Sequence, residues 1–185
     1  MTDSNDRAAL LVMDVQPGIV ERVPDSAAYV ARVTDAVRAA RKHQVPVIHV
    51  VVGFRPGFPE ISARNQSFSA ARQHAPTYLT NPQPLIAPEN GEVIVTKRRV
   101  SAFAGSDLEV VLRGGDIHHL ILCGIATSGV VLSTLREAAD KDFKLTVLSD
   151  LCADMDAEVH AVLLGKVFPK QAQMMSGAEW SASLK

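Results

Sequence analysis

Short apolar runs recur along the chain, and each is followed by a segment in which apolar residues have helical spacing. The five clearest runs are Ala8–Met13, Val47–Val52, Glu92–Thr96, His119–Cys123 and Lys144–Leu148. Such a run is typical of a strand buried on both faces, as in a parallel sheet. The alternation predicts an α/β fold in a single domain over residues 1–185, with one doubly wound, mostly parallel sheet and helices on both faces. A shorter run at Gln173–Met175 is the expected sixth strand, which gives a Rossmann-like three-layer sandwich.

The segments between these strands predict the helices and one long loop. Helices are expected at about residues 26–43, 108–113 and 128–141, after Asp156, and at 176–184. Thr127 or Ser128 is the expected cap of the helix that follows the fourth strand. The proline-rich stretch from Gly53 to about Asn90 predicts a long loop with a short helix near Ser67–His74. A long loop of this kind in a compact domain is usually functional.

Composition and charge exclude several classes of protein. Hydrophobic residues make up 47% of the chain and charged residues 21%, as in a globular domain rather than a disordered one. The net charge of −1 gives no reason to expect nucleic acid or an anionic membrane as a partner. The polar start, Met1–Asp6, lacks the basic region of a signal peptide. Cys123 and Cys152 lie in apolar surroundings and are expected to be reduced thiols, so we expect a cytoplasmic protein.

Three polar features lie at the carboxyl ends of predicted strands. Asp14 follows the first strand, Lys97 follows the third, and a turn over residues 124–128 follows the fourth. In a doubly wound sheet these ends share one edge, where ligands bind. Burial would desolvate the Asp14 carboxylate, and the charge of Lys97 would hold it oriented. Such a pair suits a general acid or base, whereas a strand-end cap and an unrelated lysine remain the structural alternative.

The residues around these positions resemble the isochorismatase-like hydrolase superfamily, which includes amidohydrolases and isochorismatases. The resemblance extends from Leu10 to about Trp180 and is carried by Asp14-Val15-Gln16, Lys97 with Ser101-Ala102-Phe103, and Gly124-Ile125-Ala126-Thr127-x-x-Val130-Val131-x-x-Thr134. It implies a six-stranded parallel sheet and an Asp–Lys–Cys triad in which the Asp activates the Cys. It also implies a cis peptide at Ile125–Ala126. The turn at Ile125, Ala126 and Thr127 would then direct the N–H groups of Ala126 and Val130 at an oxyanion.

The chain departs from this pattern at one position. The family cysteine falls on Val130, and valine has no lone pair or proton for nucleophilic attack. Isochorismatases also lack this cysteine, and in them the Asp protonates the substrate while water completes the hydrolysis. The resemblance therefore implies a hydrolase of a small organic substrate with Asp14 as general acid/base and Lys97 as electrostatic partner. Two alternatives stay open: a catalytically silent binding or regulatory relative, and an amidase whose nucleophile has moved to Cys123 or Cys152.

The remaining predictions concern the pocket and its cofactors. We expect Gln16, Phe54, Arg55 and Phe103 to line a substrate pocket, with Arg55 placed to pair with a substrate carboxylate. The stretch after the second strand has none of the Asp and His ligands of the metal-dependent relatives, so no metal and no cofactor are expected. His49 and His160 are expected to be structural. The resemblance implies a homo-oligomer, a dimer or larger.

Overall fold

Six strands form one parallel sheet in the computed structural model, which describes residues 7–74 and 76–185. The strands are β1 (Ala8–Met13), β2 (Val47–Val52), β3 (Val93–Lys97), β4 (His119–Ile125), β5 (Lys144–Ala153) and β6 (Gln173–Met175). Their order is β3-β2-β1-β4-β5-β6. From β1 the chain adds β2 and β3 on one side, and it then crosses over to add β4, β5 and β6 on the other side of β1. The carboxyl ends of β1 and β4 therefore flank the point where the winding reverses, which is where open α/β sheets bind ligands. The predicted α/β fold is confirmed; the segment Met1–Asp6 lies outside the described residues.

Helices cover both faces of this sheet and produce two separate hydrophobic cores. The helices are α1 (Ser26–Lys42), α2 (Gln66–His74), α3 (Thr77–Thr80), α4 (Leu108–Gly114), α5 (Leu132–Asp140), α6 (Ala157–Val162) and α7 (Gly177–Ser183). Helices α1 and α7 pack on one face through residues such as Val33 and Trp180. Helices α4 and α5 pack on the other through Leu112 and Leu135. Among the described residues, no helix has both the length and the apolarity that crossing a membrane requires.

The long segment between β2 and β3 is folded against the sheet by a third apolar cluster. Its buried members are Val52, Phe54, Phe58, Ile61 and Leu79. Phe54 also contacts Phe68 of α2 edge to face, with ring centroids 5.3 Å apart. This packing brings α2 and α3 over the carboxyl ends of the strands. The predicted short helix is confirmed as α2, and the structure adds α3, which the sequence pattern did not reveal.

The end of β4 differs from the prediction. Strand pairing continues through Gly124 and Ile125, which pair with Cys152 and Ala153 after an irregularity in the register. Both β4 and β5 are therefore longer than the apolar runs that predicted them. The next residues, Thr127–Val131, form a π-type turn before α5 begins at Leu132. The predicted cap is wrong: no side chain caps this turn, because the polar groups of Thr127 and Ser128 bind other partners, described below.

Gly124 allows β1 and β4 to approach each other closely. Its φ of 147° is a conformation that residues with side chains rarely adopt. A Cβ atom at this position would lie 2.1 Å from the carbonyl oxygen of Met13. Glycine is therefore required at the point where β4 passes the residue that precedes Asp14.

Candidate active site

A buried ion pair joins two strands at the carboxyl edge of the sheet. Lys97 is the last residue of β3, and its Nζ lies 3.0 Å from Oδ2 of Asp14, which follows β1. The Lys97 side chain is 2% exposed and that of Asp14 is 9% exposed. Lys97 Nζ also donates a hydrogen bond of 3.0 Å to the carbonyl oxygen of Arg99. The lysine thus reaches past β2, which lies between β3 and β1, to hold one oxygen of the carboxylate.

Lys97 does not bind the other oxygen of Asp14. Oδ1 is buried and has no hydrogen-bond partner among the described residues. Burial raises the pKa of the Asp14 carboxyl above its ordinary value of 3.8, and the charge and hydrogen bond of Lys97 oppose that shift. A carboxyl group in this state can hold a proton at higher pH than an exposed aspartate. The local backbone supports the placement, because Asp14 has a φ of 55° and its N–H donates to the carbonyl oxygen of Val50.

The turn after β4 contains the predicted cis peptide. The Ile125–Ala126 bond is cis, although the second residue is not proline. The carbonyl oxygen of Ala126 accepts hydrogen bonds from the N–H groups of Gly129, at 3.0 Å, and Val131, at 3.3 Å. Val130, the residue that we predict to stand in place of the family cysteine, is 2% exposed and belongs to the hydrophobic core. The role of the Ala126 and Val130 N–H groups toward an oxyanion stays a prediction.

Two hydrogen bonds connect this turn to the start of α6. The hydroxyl Oγ1 of Thr127 lies 2.8 Å from Nδ1 of His160, and Thr127 is fully buried. The N–H of Ser128 donates to Oδ2 of Asp154 over 2.7 Å. Burial opposes ionisation of Asp154, but hydrogen bonds from Ser128 and from the backbone that follows outweigh it and lower its pKa. The contact of His160 with Thr127 agrees with its predicted structural role, whereas Asp154 gave no signal in the sequence.

A cavity of about 480 Å³ lies beside the cis peptide. Its lining is mostly apolar and comes from the ends of β2 and β4 and from the segment that holds α2 and α3. The apolar lining residues are Ile19, Val52, Phe68, Ala70, Ala71, Pro76, Leu79, Ile125, Ala126 and Met155. The polar ones are Arg22, Ser67, His74 and Tyr78. A volume of this size suits a small organic ligand.

This cavity is not lined by any of the four residues predicted for the pocket, which are Gln16, Phe54, Arg55 and Phe103. Gln16 and Arg55 have other partners. The Gln16 amide is fully buried: it donates to the carbonyl oxygens of Val52 and Tyr78 and accepts from the N–H of Val52. It therefore fastens the end of β2 and the α3 segment to the loop after β1. Arg55 is 68% exposed and pairs with Glu60 at 2.7 Å, in a separate cleft along β3. Its guanidinium therefore forms an ion pair within the long segment between β2 and β3.

Phe54 and Phe103 are buried in the hydrophobic core and do not line this cavity. Phe54 belongs to the cluster that fixes the long segment, and Phe103 packs against Phe143 at a centroid distance of 6.0 Å. The pocket-wall residues were missed because they come from α2, α3 and the loop after β1. Sequence spacing does not show which parts of a loop fold back over a strand end.

Neither cysteine has the surroundings of a reactive thiol. Cys123 is fully buried, and its Sγ donates to the carbonyl oxygen of Leu11 over 3.4 Å. Burial raises the pKa of the Cys123 thiol well above its ordinary range and that of Cys152 to about 12. A thiolate is the reactive form, so both groups are poor nucleophiles at neutral pH. These thiols therefore pack as core residues.

Two of the described histidines pair with carboxylates. His49 is buried in β2, and its Nε2 lies 3.0 Å from Oε2 of Glu92. His118 pairs with Asp116 at 3.0 Å. Within residues 7–74 and 76–185, no group of three or more His, Cys, Asp or Glu side chains is arranged to hold a metal ion. The absence of a metal stays a prediction for the protein.

Comparison with known proteins identifies the family. The family model of the isochorismatase domain matches residues 8–179, nearly the whole chain. The chain belongs to the isochorismatase family. A curated relative, the isochorismatase family protein YecD of Escherichia coli O157:H7, is 32% identical over 177 residues, which cover 92% of this chain and 93% of that protein. The resemblance seen in the sequence is therefore confirmed at the level of the family.

Other members of the isochorismatase family show the same fold and point to hydrolysis. The structure of an isochorismatase family protein from Burkholderia thailandensis superposes with a TM-score of 0.83 at 30% identity, covering 97% of this chain and 96% of that one. N-carbamoylsarcosine amidase from an Arthrobacter species is 28% identical over 159 residues, which cover 80% of this chain and 60% of that enzyme. The family relatives thus include amide hydrolases.

Proposed function

We propose that this isochorismatase-family protein hydrolyses a small organic substrate by general acid–base catalysis at Asp14, without a covalent enzyme intermediate. One observation carries the proposal. The buried Asp14 carboxyl has one oxygen held by Lys97 at 3.0 Å and the other without a hydrogen-bond partner among the described residues. A carboxyl group that is oriented by one oxygen and open at the other is suited to transfer a proton.

The environment of Asp14 supports its use as the acid. Burial raises the pKa of the carboxyl, so at any given pH a larger part of the population carries a proton than for an exposed aspartate. In the proposed reaction Asp14 donates this proton to the substrate as the scissile bond breaks. Water adds to the resulting electrophilic carbon and returns one proton to the carboxylate, which restores the enzyme. Lys97 keeps the carboxylate oriented and stabilises its negative charge during the step.

The position of Val130 supports the absence of a covalent step. A valine side chain cannot attack a carbonyl carbon, and this one is buried in the core. Both native thiols are buried with raised pKa values, which argues against an amidase with a relocated cysteine. The N–H groups of Ala126 and Val130, at the turn after β4, are proposed to bind a polar or anionic group of the substrate.

The proposal is tested by assaying the purified protein with isochorismate and a panel of small amides. Asp14→Asn should lower kcat by about 10²–10⁴-fold, the usual contribution of a general acid or base. Asp35→Asn is the matched control, because Asp35 lies on α1 with a side chain that is 73% exposed, and its kcat should not change. Turnover that survives Asp14→Asn unchanged would overturn the role of Asp14. Tight binding of a panel member without turnover would instead favour a silent binding relative.

A further inference from the structure

An arginine is held at the wall of the cavity beside the cis peptide. Arg22 ends a short 3₁₀ turn, Val20–Arg22, in the loop after β1. Its Nη2 donates a hydrogen bond of 3.0 Å to the hydroxyl of Tyr78, and its guanidinium carbon lies 5.4 Å from the centroid of that ring. The aromatic face and the hydroxyl together restrict the guanidinium plane. Arg22 is therefore oriented before any ligand enters.

The positive charge of Arg22 has no carboxylate counter-ion nearby. No carboxylate oxygen lies within 4 Å of its guanidinium nitrogens in the part of the chain that the structure describes. The nearest acidic residue in sequence, Glu21, lines a neighbouring cavity that Arg22 and Tyr78 also line, and it accepts a hydrogen bond from the N–H of Gly18. The lining of the cavity beside the cis peptide includes one arginine, Arg22, and one histidine, His74, and no acidic side chain. Its charge therefore complements an anion.

The rest of the lining complements an apolar molecule. Val52 and Ile125 form the part next to the strand ends, and Phe68, Leu79 and Met155 add apolar surface from the other sides. Such surface favours a hydrocarbon body through the burial of apolar area. One anionic group on an apolar body is the ligand that satisfies both parts of the lining.

We propose that this cavity selects small monocarboxylates with an apolar body and that Arg22 is the specificity-determining residue, receiving the carboxylate through its planar pair of N–H donors. The inference rests on the proposed function and adds to it that this cavity holds the body of the substrate, although Asp14 and Lys97 are not among its lining residues. Arginine is suited to the role because two parallel N–H donors of its guanidinium match the two oxygens of a carboxylate. Tyr78 acts as a positioning residue, since it fixes the guanidinium and reduces the entropy lost on binding.

Equilibrium binding tests the inference without requiring turnover. The probes are benzoate and 3-phenylpropionate, each compared with its neutral primary amide, and the readout is the chemical shift of backbone amides in a ¹⁵N–¹H NMR titration. The parent protein should bind each carboxylate about tenfold more tightly than the amide, as expected for a hydrogen-bonded charge pair. Shifts should concentrate at Leu79, Ile125 and Ala126.

Variants distinguish the contribution of Arg22 from that of His74, which lines the same cavity. Arg22→Gln should abolish the preference for carboxylates. Arg22→Lys should keep only part of that preference, because lysine retains the charge but lacks the planar pair of N–H donors. His74→Gln and the exposed Arg38→Gln should leave the preference unchanged. If Arg22→Gln does not fold, Arg22→Lys alone decides: an undiminished preference overturns the inference. A preference that disappears with His74→Gln, or equal binding of acid and amide by the parent, also overturns it.

The two proposals fail in different ways. A carboxylate preference that depends on Arg22, in a protein that turns over no substrate, would leave this inference standing and remove the proposed hydrolysis. Turnover that depends on Asp14 but favours neutral substrates would retain the hydrolysis and remove this inference.

Discussion

Lys97 Nζ lies 3.0 Å from Asp14 Oδ2, and both side chains are almost completely removed from water. The two residues are 83 positions apart in sequence and are separated in the sheet by β2. Each of these buried charges stabilises the other, because burying either one without its partner would carry a large desolvation cost. The pair therefore links the chemistry of the site to the stability of the domain.

The first prediction concerns that linkage. Asp14→Asn and Lys97→Met should each lower the free energy of unfolding by about 3–5 kcal/mol, because each leaves one group buried without its partner. The double variant Asp14→Asn/Lys97→Met should be less destabilised than the sum of the two. Urea unfolding followed by circular dichroism measures all three. The exposed pair Arg38–Asp35 is the control, and its double-mutant cycle should give a coupling below about 1 kcal/mol; additive effects at Asp14 and Lys97 would contradict the prediction.

The second prediction concerns the pH dependence of catalysis. If Asp14 acts as an acid, kcat/KM should fall as the pH rises through its raised pKa, because the protonated form is lost. Lys97→Met removes the positive charge that lowers the pKa of Asp14, so the fall in kcat/KM should move to higher pH. Steady-state rates measured across the pH range in parent and variant provide the test. A profile that moves to lower pH, or does not move, would be inconsistent with this electrostatic role for Lys97.

The sequence was sufficient to predict that Asp14 and Lys97 lie together, but not to predict which residues line the cavity. Apolar runs on buried strands located β1, β3 and β4, and their carboxyl ends correctly brought Asp14 and Lys97 together. The walls depend on how the segment between β2 and β3 folds back, which is decided by long-range packing such as the contact of Phe54 with Phe68. Arg55 was a reasonable candidate by position, but Glu60, five residues later, binds its guanidinium. Local sequence patterns do not predict how a long segment folds back or which residue an exposed arginine binds.

The third prediction concerns a thiol at position 130. Val130 is as buried as the native thiols, but it lies in the turn that precedes α5, and a helix N-terminus lowers the pKa of a thiol. Val130→Cys should therefore react with iodoacetamide faster than Cys123 and Cys152, whose pKa values are raised by burial. The substitution removes little volume, so the fold should be retained. Peptide mass spectrometry after timed labelling measures the three rates. Labelling at residue 130 no faster than at the native thiols would mean that the turn after β4 does not activate a nucleophile.

The fourth prediction concerns the contact between β1 and β4. Gly124→Ala should destabilise the protein by about 3 kcal/mol or more, because the added Cβ would clash with the carbonyl oxygen of Met13 and φ is 147°. Gly165→Ala is the matched control: no atom lies within 4 Å of its added Cβ, so stability should be unchanged or slightly higher. Thermal unfolding of both variants distinguishes these outcomes. Equal stability of the two would argue against a tight approach at Gly124.

The last prediction concerns acid unfolding and a charge cluster away from the active site. Glu92 accepts hydrogen bonds from Arg41 at 2.7 and 2.9 Å and lies 3.0 Å from Nε2 of His49. Burial opposes its ionisation, but the contacts with Arg41, the Glu89 backbone and His49 outweigh it and lower its pKa from 4.5 to about 2.

A carboxyl whose pKa is lowered by folding contributes stability above its unfolded value, and that contribution is lost as the pH falls through the folded value. For Glu92 the loss should occur between pH 4.5 and about 2, and the shift corresponds to about 3 kcal/mol. Glu92→Gln should therefore be less stable than the parent at neutral pH, and the difference should vanish near pH 2. Glu89→Gln is the control, because Glu89 binds the same guanidinium at 3.0 Å but is 66% exposed. Urea midpoints of all three proteins across this pH range measure the effect, and a difference that persists unchanged at pH 2 would exclude ionisation of Glu92 as its source.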